Sequence, residues 1–86
     1  MAAGESITYE PKNPADLQRF LEANKDRYHE IWVVLTKKSV VDPQPVSFNQ
    51  AVARAIALGL VDSRTRTLDD EKYSVRFTKR KSRKTA

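Results

Sequence analysis

The sequence predicts an α+β fold: a two-layer α/β sandwich with two helices packed on one face of a mostly antiparallel sheet of about four strands. Three observations lead there. Two segments carry apolar residues at three- and four-residue spacing behind helix-capping residues. Four others are β-branched, aromatic or alternating. Their order, β, α, β, α and then a β-hairpin, lets two one-sided helices bury against a single sheet face. With 86 residues the chain has room for one core, so a single domain is expected over 1–79, with 80–86 as a basic flexible tail.

Ser6-Ile-Thr-Tyr-Glu10 alternates polar and β-favouring residues ahead of Pro11 and reads as a short edge strand. Asn13-Pro14-Ala15-Asp16 then supplies an N-cap amide, a proline at the first helical position and a carboxylate at the positive helix end. Leu17, Phe20, Leu21, Asn24 and Tyr28 continue at helical spacing, which predicts a helix from about Pro14 to Lys25. Glu30 to Lys37 is apolar on both alternating sets and reads as a central strand covered on much of both faces.

Pro43 and Pro45 mark a loop. Ser47-Phe-Asn-Gln50 has the spacing of a capping box, and Phe48, Ala51, Val52, Ala55 and Ile56 carry a second helix to about Leu58. Gly59 suits a left-handed C-terminal residue and leads directly into a strand, Leu60 to Thr67. A turn at Leu68 to Glu71 precedes a last strand in which Tyr73, Val75 and Phe77 alternate with Ser74, Arg76 and Thr78.

Composition removes several classes of function. There is no Cys, which excludes a disulfide scaffold, a Cys-ligated zinc site, an iron–sulfur centre and a thiol enzyme. Only 2 Gly are present, so glycine-rich phosphate loops are excluded. His29 is the 1 histidine and reads as a surface polar residue. Asp69-Asp70-Glu71 lacks the spaced ligands and glycine of a calcium loop. No metal or other cofactor and no enzymatic activity are expected. Trp32 and the tyrosines sit at strand or stripe positions and read as core in preference to a base-stacking platform. The longest apolar run, Ile31 to Leu35, is too short to span a bilayer, and the N-terminus lacks a signal-peptide pattern, so a cytoplasmic protein, monomeric or weakly dimeric, is expected.

The formal charge of +5 is accounted for by Lys79, Arg80, Lys81, Arg83 and Lys84, with 11 basic and 11 acidic residues before them. High pI therefore reports the tail and not a basic domain surface. The sharper hint lies in the hairpin. A register placing Thr65, Tyr73, Val75, Phe77 and Val61 on one face sets Arg64 across from Arg76, Arg66 across from Ser74 and Asp62 across from Thr78. Opposed guanidiniums repel, so the arrangement calls for water, Asp62 or an anion between them. One reading is an anion-binding patch of Arg64, Arg66 and Arg76, oriented by Asp62 and extended by Lys37 or Lys38, for a small anionic ligand or an acidic protein. The other is a solvated face on which Asp62 neutralises Arg76. Nucleic-acid binding through Lys79 to Lys84 and the hairpin arginines is the alternative function.

The ordered pieces Phe20-Leu-Glu-Ala-Asn24, Ile31-Trp-Val-Val-Leu-Thr-Lys-Lys38, Val46-Ser-Phe-Asn-Gln-Ala51, Ala57-Leu-Gly-Leu-Val-Asp62, Leu68-Asp-Asp-Glu-Lys-Tyr73 and Arg76-Phe-Thr-Lys-Arg80 resemble the YdeI/OmpD-associated, or bacteriocin-protection, family. The resemblance implies a two-layer α/β sandwich of unknown biochemical activity and directs attention to Lys37, Lys38, Asp62, Arg76, Thr78 and Arg80 as matching polar positions. Leu60 and Lys79 stand where that family usually has tryptophan and proline, and the chain reads as a short version without the family's usual C-terminal extension.

Overall fold

Asn13 opens the first helix as its residue types require. In the computed structural model, which describes residues 6–79, its side chain accepts a hydrogen bond from the Asp16 backbone N–H at 2.7 Å, with Pro14 at the first helical position. The elements are β1 (Ser6–Tyr9), α1 (Pro14–Asn24), β2 (Glu30–Thr36), α2 (Phe48–Ala57), β3 (Leu60–Thr67) and β4 (Lys72–Lys79). Helix α2 begins with a complete capping box: Ser47 Oγ accepts from the Gln50 N–H and Gln50 Oε1 accepts from the Ser47 N–H. It ends at Gly59, whose φ of +84° turns the chain directly into β3.

The four strands form one sheet in the order β1-β2-β4-β3. β1 runs parallel to β2, while β2/β4 and β4/β3 are antiparallel. The expected α+β sandwich is therefore the fold, with the parallel pair created by the helical crossover through α1. Leu17 and Leu21 of α1, Ala51 and Ala55 of α2, Ile31, Val33 and Leu35 of β2, Val75 and Phe77 of β4, with Leu60 and Val46, form the buried core. Two alanines at the α2 contact bring that helix close to the sheet, and Phe77, 0% exposed, fills much of the space between layers.

Two expectations need correction. β2 is not covered on both faces: Ile31, Val33 and Leu35 are buried, whereas Glu30, Trp32, Val34 and Thr36 are half-buried on the side without helices. The hairpin register holds from Arg64 to Thr67, where Arg64 faces Arg76, Thr65 faces Val75, Arg66 faces Ser74 and Thr67 faces Tyr73. Before Arg64 it shifts. A bulge at Ser63 pairs Asp62 with Phe77, Val61 with Thr78 and Leu60 with Lys79. One extra residue exchanges the faces, so Leu60, and not Val61, enters the core, while Arg64 and Arg66 stay on the opposite side. The expected tail at 80–86 lies outside the described residues.

Candidate functional site

The open face of the sheet is assembled by strand alternation. Register aligns Thr8 of β1 with Trp32 of β2, Trp32 with Arg76 and Val34 with Ser74 of β4, and Arg76 and Ser74 with Arg64 and Arg66 of β3. Arg64 and Arg66 are exposed, whereas Ser74 between Val34 and Arg66 is buried.

Arg64 and Arg76 are cross-strand neighbours, as the sequence suggests, but their repulsion is relieved from an unexpected side. Arg76 donates to Glu30 Oε2 at 2.9 Å, on β2, and to Ser63 Oγ at 3.3 Å, at the bulge. Ser63 in turn donates to the Arg76 carbonyl at 3.3 Å. Glu30 also accepts from the Trp32 indole N–H at 3.2 Å. That indole hydrogen bond first, and the Arg76 guanidinium second, hold the Glu30 carboxyl below its usual range against partial desolvation. Lys72 is paired with Glu10 at 2.6 Å, and this partner raises its pKa.

Arg66 lies with its guanidinium carbon 4.9 Å from the centroid of the Trp32 ring, a cation–π contact. Among the described residues neither Arg64 nor Arg66 takes part in a salt bridge. The face thus carries two carboxylates neutralised in place and two guanidiniums without an acidic partner.

The other residues expected at this site are distributed differently. Asp62 is opposite Phe77 and so belongs to the other side of the sheet; the bulge separates it from Arg76, and Glu30 takes the role expected of it. Thr78 lies on the open face opposite Val61. Lys37 and Lys38 follow the far end of β2: the Lys37 N–H donates to the Glu71 carbonyl at 2.8 Å, beside the Thr36–Lys72 pairing. That pairing is four residues along the strand from Trp32–Arg76, about 13 Å at the rise of a strand. Arg80 lies outside the described residues, as does the run from it to Lys84.

Trp32, Glu30 and Ser63 are the residues of this face that sequence reasoning missed. Trp32 is not core: Tyr28 and Tyr73 pack against the core and Tyr9 stacks on Phe20 at 4.3 Å, but Trp32 faces away from the helices. Tyr9 also donates to the Asp16 carboxylate at 2.8 Å, which fastens β1 to α1. His29 is exposed in the loop before β2. The Asp69 carboxylate accepts the Glu71 and Lys72 backbone N–H groups, as in an Asx turn. Among the described residues no group of three His, Asp or Glu is placed to hold a metal ion. A cleft lined by Glu10, Pro11, Val34, Thr36, Pro45 and Val46 has room for little more than one water molecule. No helix among the described residues is long and apolar enough to cross a membrane.

Fold and surface together define a small α+β two-layer domain with one charged sheet face that no helix of the described residues covers. The chain belongs to the family described as a domain of unknown function, DUF8412, whose model matches residues 9–85. Nothing in that match ties the chain to the YdeI/OmpD-associated family. No curated protein and no solved structure matches the chain.

Proposed function

We propose that this domain is a non-enzymatic binding module that takes a small anionic ligand or an acidic partner on the open sheet face. Arg64 and Arg66 are the donors, and Glu30 neutralises Arg76 on the strand beside Arg64. One observation carries this reading: Arg64 stands opposite a second guanidinium whose charge is already matched by Glu30, so its own charge is left for an external anion. Arginine stays protonated at neutral pH and offers donors without relaying protons, which suits recognition better than acid–base chemistry. Kinship with the YdeI/OmpD-associated family, and with it a cytoplasmic setting, belongs to the same proposal, supported by the ordered sequence pieces.

Titration calorimetry with inorganic phosphate and with an aspartate-rich peptide tests it. Binding is expected to weaken with added salt and to be lost in an Arg64→Ala/Arg66→Ala double variant that keeps its circular dichroism spectrum. Unchanged binding in that variant contradicts the assignment.

A further inference from the structure

We infer that the anionic partner of this face is a single-stranded nucleic acid, with a base stacking on the Arg66–Trp32 pair and a neighbouring phosphate on Arg64. This rests on the reading above and narrows it. Arg64 and Arg66 are two residues apart on one strand, so their side chains leave the sheet about 7 Å apart, in a row. A row of donors fits a chain of charges better than one small anion, which wants donors converging on a point. Arg66 over Trp32 joins a guanidinium plane to an aromatic ring, the two side-chain surfaces on which unpaired bases stack.

The local charges are consistent with that partner. The carboxylates of the face, Glu30 and Glu10, are held by Arg76 and Lys72 and do not cancel the two free guanidiniums. An acidic protein would satisfy the arginines but would leave the aromatic half of the pair without a role.

Trp32 is the chain's one tryptophan, so its fluorescence reports on this site alone. The full chain is titrated with oligouridylate and oligoadenylate of roughly 12 nucleotides, with inorganic polyphosphate of equal charge, and with polyglutamate, each at two salt concentrations. The oligonucleotides are expected to quench or shift Trp32 emission while polyphosphate binds without that change. Arg66→Ala is expected to weaken oligonucleotide binding about tenfold, within the range found for loss of one stacked base. Arg66→Lys keeps the salt dependence but loses the spectral change. Arg64→Ala lowers the salt slope by about 0.7, one phosphate contact on a single strand, and leaves the spectral change. Equal Trp32 responses to polyphosphate and oligonucleotide, or oligonucleotide binding with no response, overturn base stacking while the anion reading survives. Binding of polyglutamate alone assigns the face to an acidic protein and overturns the nucleic-acid inference. Binding of none of the four removes both.

Discussion

The two faces of this one sheet are held by different physics. On the helix side, Ile31, Val33, Leu35, Val75 and Phe77 meet Leu17, Leu21, Ala51 and Ala55 in a dry layer, where stability follows from shape and apolar area. On the open side the neighbours of the same strands form pairs, Glu30 with Arg76, Glu10 with Lys72 and Arg66 with Trp32, each still reached by solvent. The first face specifies the fold and tolerates little change. The second contributes little to stability and is free to be specialised for a partner.

The largest effect expected is on the covered face. Phe77→Ala should cost about 3–5 kcal/mol, a large share of the roughly 5–15 kcal/mol that holds a small domain together, and urea unfolding of the variant checks it. Deleting Ser63 sharpens the comparison, because with the bulge residue gone plain alternation still puts Leu60 and the two hairpin arginines on opposite faces. Leu60 should stay buried and both arginines exposed, so urea unfolding of this variant should change far less than that of Phe77→Ala, with only the Ser63 contacts to Arg76 lost. Ser63→Ala, which keeps the residue count, should leave the register intact and lose only the contacts to Arg76. Ser47→Ala, which removes one half of the α2 capping box, should lower stability by about 1 kcal/mol.

A smaller effect is expected from acid. Glu30 is held below the usual carboxylate range in the folded chain, so the unfolded chain takes up its proton first as pH falls. The stability this group contributes is present above about pH 4.3 and is lost as pH drops through the folded value. Asp16, held down by the Lys12 backbone N–H and Tyr9, and Asp26, held down by Lys79 and Lys25, act in the same direction. The urea midpoint should therefore be flat near neutrality and fall below pH 4, and Glu30→Gln should make that fall shallower. Arg64→Ala should change stability least, by no more than about 0.5 kcal/mol, since it removes an exposed side chain facing a like charge.

How much of this was readable in the chain follows the same division. The caps at Asn13 and Ser47 and the turn at Gly59 announce both helices because each satisfies a local requirement of the backbone. The Arg64–Arg76 pairing follows from alternation on β4 and a short connection. The bulge does not, because it is a backbone event, although one sign of it was present. Leu60, Arg64 and Arg66 share the same parity, and a half-buried strand cannot place a core leucine and two arginines on one face without a shift.

Trp32 was obscured by its neighbours: with Trp32 and Val34 apolar on one set and Ile31, Val33 and Leu35 on the other, alternation could not tell the covered face from the open one. Glu30 as the partner of Arg76 depended on β4 lying between β2 and β3, a matter of strand order that no local pattern records.

The claim that the open face binds an anionic partner through Arg64 and Arg66 is tested most directly by mapping amide, arginine and indole NMR shifts while inorganic polyphosphate is added to the full chain. Shifts concentrated on Ser63 to Thr67, the Arg64 and Arg66 side chains and their neighbours on β4, with α1 and α2 unmoved, are the predicted result. Shifts confined to Arg80–Lys84, or centred on the helices, would contradict it.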